Sequence, residues 1–129
     1  MARAALLLVE DEAPLQELLA DWLGEAGFHV VIADDGEQAL RIFEAGPFWF
    51  DGVITDIRLG DGPDGWEVGR RVRAVRAGLP IVYISGDSGY RWRAEGVANS
   101  VFLAKPFRLL QLITALDTLL AACACARDA

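Results

Sequence analysis

Four polar positions in this chain each follow a short apolar run, and together they could handle a phosphoryl group. Glu10-Asp11 comes after Leu6-Leu7-Leu8-Val9, and Asp56 after Val53-Ile54-Thr55. Ser85 comes after Ile81-Val82-Tyr83-Ile84, and Lys105 after Val101-Phe102-Leu103-Ala104. Carboxylates brought close repel: two unit charges about 5 Å apart at an effective dielectric of about 20 cost roughly 3 kcal/mol. A proton or a cation must compensate. Magnesium suits such a site, because it takes oxygen ligands and is held by one or two carboxylates, waters and phosphate oxygens. A carboxylate can also attack phosphorus and form an acyl phosphate, dividing one transfer into two easier steps. Asp56 stands where a strand gives way to a loop, which exposes an oxygen. A metal on one side and Lys105, the one lysine among twelve Lys and Arg residues, on the other would neutralise the transferred group. Ser85 could donate its hydroxyl to that group, although Ser-Gly-Asp-Ser is also ordinary turn chemistry. Read alone, Glu10-Asp11-Glu12 equally fits a solvated acidic loop near a helix N-terminus.

The elements that must position these residues are short strands alternating with helical segments, the pattern of repeated βα units and a parallel sheet. The first strand covers about Ala5 to Val9. A helix follows from Pro14, a residue suited to the first helical position, and stops near Gly27. Leu15, Leu18, Leu19, Trp22 and Ala26 give it one apolar stripe. The second strand is Phe28 to Ala33, and Asp34-Asp35-Gly36 turns into a helix ending near Gly46-Pro47. The third strand is Phe50 to Thr55, followed by a turn-rich loop from Gly60 to Gly65. The third helix runs to about Ala77 with Val68, Val72 and Val75 inward. The fourth strand is Pro80 to Ser85. A fourth helix around Tyr90-Arg91-Trp92-Arg93 lacks a clean stripe. The fifth strand is Ser100 to Ala104, and the last helix, after Pro106, presents Leu109, Leu112, Ile113, Leu116 and Leu120. The fold expected is α/β, flavodoxin-like (βα)5, a doubly wound five-stranded parallel sheet. In the order 2-1-3-4-5 the C-terminal ends of strands one and three become neighbours at the switch point, which brings Glu10, Asp11 and Asp56 together.

The 129 residues suffice for one domain with a real core and no disulfide staples. Hydrophobic residues make up 53% of the chain and mean hydropathy is +0.29, yet no apolar stretch reaches membrane-span length and no signal peptide opens the chain. A cytoplasmic location without membrane insertion is expected. The net charge of −7 argues against direct nucleic-acid contact, which relies on a basic face. Cys123 and Cys125 lack the further ligands a metal site needs and read as a frayed helix end or tail.

The residues resemble the receiver domain of bacterial two-component response regulators. That pattern is an acidic pair after strand one, an Asp after strand three, Ser or Thr after strand four and Lys-Pro after strand five. Here it reads Val9-Glu10-Asp11-Glu12, Thr55-Asp56, Ile84-Ser85-Gly86 and Lys105-Pro106-Phe107. Each motif alone is weak, whereas four in order at this spacing are specific. The resemblance implies a phosphorylation-dependent signalling switch, not a turnover enzyme, whose domain spans residues 1–122 with a short tail at 123–129. Asp56 is then the phosphoacceptor. Asp11 and Asp56 bind Mg2+ directly, Glu10 acts mainly through water, and the Arg58 carbonyl completes the protein ligands. Lys105 pairs with Asp56 and later with the phosphoryl group, and the Lys105-Pro106 bond is cis. Ser85 moves toward the phosphate and Phe102 fills the vacated space as switch aromatic, although a strand-core role explains Phe102 as well. A histidine kinase or histidine phosphotransfer protein is the implied donor, docking on the first helix.

Glu10 replaces the commoner Asp. Arg58 and Asp87 lie where the family varies its dephosphorylation rate, and a pair between them across the site mouth would hinder an attacking water. With no output domain expected after the last helix, output falls to a downstream protein partner. Tyr90 and Trp92, flanked by Arg91 and Arg93, are candidates for an exposed contact patch. The sequence leaves open whether the domain forms a homodimer. A haloacid-dehalogenase-type hydrolase would place a second acid where Arg58 stands, and a flavodoxin-like carrier needs a phosphate loop where Glu-Asp-Glu-Ala-Pro stands. A receiver that inherited the fold but is not phosphorylated is the remaining alternative.

Overall fold

The structure, a computed structural model, describes residues 4–86 and 91–128, with side chains as far as Cys123. Asp87 and Tyr90 lie outside the described residues. The strands are β1 (Ala5–Val9), β2 (His29–Ala33), β3 (Gly52–Asp56), β4 (Ile81–Ser85) and β5 (Val101–Ala104). The helices are α1 (Ala13–Glu25), α2 (Gly36–Ala45), α3 (Gly65–Val75), α4 (Trp92–Glu95) and α5 (Leu109–Asp128). All strand pairs are parallel, in the order β2-β1-β3-β4-β5.

The continuous apolar runs follow from this topology, because a parallel sheet with helices on both faces buries both faces of its central strands. Leu7, Val9, Val53, Ile81 and Tyr83 point to one side and meet Leu40 and Phe43 of α2 and Trp66, Val68 and Val72 of α3. Leu6, Leu8, Ile54, Val82 and Ile84 point to the other and meet Leu19 and Leu23 of α1 and Leu112 and Leu116 of α5. Side-chain caps define two helix starts: Asp35 Oδ1 accepts from Gln38 N at 2.7 Å, and Asp64 Oδ1 from Glu67 N at 2.9 Å. Pro14 sits in the first turn of α1, where no amide hydrogen is needed. Gly60 (φ 73°) and Gly62 (φ 88°) make the β3–α3 turn in the left-handed region that glycine tolerates.

Three expectations are corrected. The buried stripe of α1 is Leu19 and Leu23, whereas Leu18 is 43% exposed; the helix is rotated so that Leu18 faces outward beside Pro14. Val75 does not face inward but is half exposed at the end of α3, just before the turn into β4. Trp92 is not part of an exposed patch: it packs against the core side that holds Tyr83, and its Nε1 donates to Ser100 Oγ at 2.9 Å. Two arginines at the C-terminal end of α3, Arg73 and the capping Arg76, act as braces. Arg73 donates to the Leu79 and Ala98 carbonyls (2.7 and 2.6 Å), and Arg76 to those of Pro47 and Phe50 (both 2.8 Å). Helix α5 runs on to Asp128, so both cysteines sit in its last turns.

Candidate functional site

Parallel pairing brings the ends of β1 and β3 side by side, with Val9 opposite Thr55, and sets Asp56 opposite Ile84 and Ser85 opposite Ala104. The polar residues that end or follow β1, β3, β4 and β5 therefore gather around one cleft. Asp11, Glu12, Asp56, Arg58, Ser85, Gly86 and Lys105 line this space of about 390 Å³. Asp56 is the last residue of β3 and only 4% exposed. Its Oδ1 accepts from Arg58 N at 3.2 Å, and its Oδ2 takes the Lys105 ammonium at 2.8 Å. The Lys105 ammonium also reaches Glu10 Oε1 at 3.0 Å and lies 3.9 Å from Glu12 Oε1. One cation thus bridges two buried carboxylates and faces a third at the rim.

Electrostatics follow from this crowding. Glu10 is wholly buried, and burial, reinforced by the neighbouring Asp56 charge, lifts its carboxyl from the ordinary 4.5 to about 7. The Glu12 amide, which donates to Glu10 Oε2 at 3.1 Å, and the Lys105 ammonium oppose that rise without cancelling it. For Lys105, burial pushes the ammonium pKa down, but the bonds to Asp56 and Glu10 outweigh it and the net direction is up. Lys105 is therefore firmly cationic. Carboxylate oxygens of Glu10, Asp11, Glu12 and Asp56 lie within 4.8 Å of one another. An all-oxygen set of this density, carrying more negative charge than one ammonium offsets, fits a small hard divalent cation such as magnesium.

The other sequence-selected residues are placed as follows. Ser85 is buried at the end of β4, and its carbonyl accepts from Lys105 N at 2.9 Å. The Lys105–Pro106 peptide is cis. Phe102, opposite Tyr83 in the register, is partly buried on the α2–α3 side of the sheet, the face that Ser85 shares with Tyr83. Arg58 lies exposed at the cleft, and its proposed partner Asp87 is outside the described residues.

Sequence reasoning missed two residues. Gly65, the first residue of α3, packs so tightly that a Cβ there would collide with the Asp56 carbonyl, and its N–H donates to the Ile57 carbonyl at 2.8 Å. A glycine directly after a capping Asp was the available signal. Gln16 reaches back from α1 to the Glu10 carbonyl at 2.8 Å, and nothing in its spacing announces that contact.

Comparison with known proteins agrees with this geometry. A family model described as "Response regulator receiver domain" matches residues 6–117. The chain is 35% identical over 117 residues to the transcriptional regulatory protein CusR of Escherichia coli, which covers 89% of this chain and 50% of that one. It is 30% identical over 119 residues to the response regulator receiver protein CpdR of Brucella abortus, covering 91% and 97%. A crystal structure of a response regulator receiver protein from Sinorhizobium medicae superposes with a TM-score of 0.90 at 42% identity, covering 93% of this chain and 96% of that one. The chain spans about half the length of CusR and of most other curated relatives it matches. Several of those relatives are named as transcriptional regulators, so the absence of a nucleic-acid role expected from net charge finds no support for a protein of that length. Among the described residues no helix is long and apolar enough to cross a membrane.

Proposed function

The chain belongs to the response regulator receiver domain family, and from that premise we propose that it is a phosphorylation-dependent switch whose phosphoacceptor is Asp56. Membership carries two-component signalling, in which response regulators take phosphoryl groups from histidine kinases and act on downstream effectors. The observation that carries the assignment to Asp56 is its carboxylate, held between the Lys105 ammonium and the acidic cluster at an open cleft.

In the proposed reaction an Asp56 carboxylate oxygen attacks the phosphorus of a phosphohistidine. A P–O bond forms, the P–N bond breaks, and the imidazole leaves with the bonding pair and takes a proton. Lys105 neutralises the equatorial oxygens of the transferred group, and the Arg58 amide keeps the acceptor carboxylate from rotating. Asp11 and Asp56, with Glu10 acting mainly through water and the Arg58 backbone carbonyl, would hold Mg2+, which supplies positive charge to the phosphoryl oxygens when bound. The step is a single transfer with slow self-hydrolysis, so the domain is not a turnover enzyme. The donor, a histidine kinase or histidine phosphotransfer protein, docks in the apolar groove of Pro14, Leu15, Leu18, Trp22 and Phe107, which ends at Lys105. Leu18, turned outward on α1, supports this placement.

Phosphorylation draws Ser85 toward the new group and lets Phe102 turn inward, changing the β4-α4-β5-α5 face that a downstream partner reads. The test is backbone amide NMR with and without acetyl phosphate and Mg2+, on wild type and Asp56→Asn. Shifts that spread along β4 and β5 in wild type and vanish in Asp56→Asn support the switch. Shifts that persist in Asp56→Asn remove Asp56 from the role.

A further inference from the structure

A relay of side chains behind the cleft links three elements to the loop that carries the acidic cluster. The Gln16 amide, one turn into α1, donates to the Glu10 carbonyl and to Asp34 Oδ1, both at 2.8 Å. Both partners are acceptors, so the amide must present its NH2 to them, and both its hydrogens are used. Asp34, directly after β2, has its own N–H held by Gln38 Oε1 of α2 at 2.5 Å. Gln38 N in turn donates to the α2 cap Asp35. The Glu10 N–H is already fixed by the Ala33 carbonyl at 3.1 Å. Both faces of the Glu10 peptide environment are therefore pinned, one by the β2 end and one by Gln16.

We propose that Gln16, oriented by Asp34, is a positioning residue for the divalent cation. By fixing the Glu10 carbonyl it sets the direction in which Glu10, Asp11 and Glu12 leave β1, and so the spacing of the carboxylates. Neither Gln16 nor Asp34 belongs to the acidic cluster itself; each acts through the Glu10 backbone. Groups that orient ligands in this way tune metal affinity by about tenfold or more in other metal sites. The inference rests on the reading of the cleft as a Mg2+ and phosphoryl site, and the test separates the two.

The experiment titrates the full chain with MgCl2, following tryptophan emission, in wild type, Gln16→Ala, Asp34→Ala and Asp34→Asn, with a thermal melt of each without metal. Asp34→Ala and Asp34→Asn lose the same charge, but only Asn keeps a carbonyl oxygen for Gln16. The expected result is a Kd about tenfold or more higher in Gln16→Ala and Asp34→Ala, and within about twofold of wild type in Asp34→Asn. A merely structural role would lower the melting temperature and leave Kd in place. Unchanged Kd in Gln16→Ala, or Asp34→Asn no better than Asp34→Ala, overturns the proposal. Absence of Mg2+ binding in wild type instead overturns the reading of the cleft.

Discussion

Replacing Glu10 by Gln isolates what the buried carboxylate costs. Its pKa of about 7 in the folded chain lies above the ordinary 4.5, so between those values the folded protein holds a proton that the unfolded chain has released. Stability is accordingly greatest at the acidic end of that window and falls as pH rises through it. A shift of this size corresponds to about 3 kcal/mol, and the side chain is fully buried, so solvent screening does not reduce it. Lys105, raised rather than lowered, stays protonated throughout and adds no slope. The amide of the Glu10→Gln variant does not titrate. The stability of Glu10→Gln relative to wild type, from urea unfolding in EDTA, is therefore expected to improve by about 2.5 kcal/mol between about pH 5 and about pH 8.5. A relative change below about 1 kcal/mol across that range would refute the reasoning, because it would mean that Glu10 is ionised in the folded chain at both ends.

Three further substitutions test particular contacts. Lys105→Met leaves Glu10 and Asp56 facing each other without their bridging cation; urea unfolding is expected to show a loss of about 3 kcal/mol at alkaline pH that shrinks as acid protonates Glu10. Phosphoryl uptake from acetyl phosphate by the same variant falls by about tenfold or more. Gly65→Ala drives a methyl into the Asp56 carbonyl, and the expected cost, read from the urea midpoint, is about 2 kcal/mol. Trp92→Phe removes the donor to Ser100 Oγ and is expected to cost about 1 kcal/mol by the same assay.

Strands were the most legible part of the chain. The runs at 6–9, 81–84 and 101–104 are apolar without interruption, and the run at 53–55 departs from this only at the buried Thr55, because a parallel sheet covered on both faces leaves no polar face to alternate with. Their ends were legible for the same reason, since each run stops at the polar residue that faces the cleft. Helix faces were less so. In α1 the period fits Leu18 as well as Leu23, and only packing on the sheet decides that Leu23 is buried. Trp92 looked exposed in a segment without a stripe, but it packs partly buried against the α2–α3 side of the core and bonds Ser100 across the α4–β5 turn. Convergence of Glu10, Asp56 and Lys105 was readable from strand order. What that convergence does to Glu10 was not, because its burial and its ammonium partner 95 positions away are products of the fold. Gln16 was invisible for a related reason: its partners are a backbone carbonyl and the end of another strand.

The central claim is that Asp56 takes a phosphoryl group with the help of a divalent cation. Intact mass after incubation with acetyl phosphate, with and without Mg2+, on wild type and Asp56→Asn, tests it most directly. The account predicts one phosphoryl increment that appears only in wild type and only with Mg2+. No increment in folded wild type, or an increment that survives in Asp56→Asn, would contradict it.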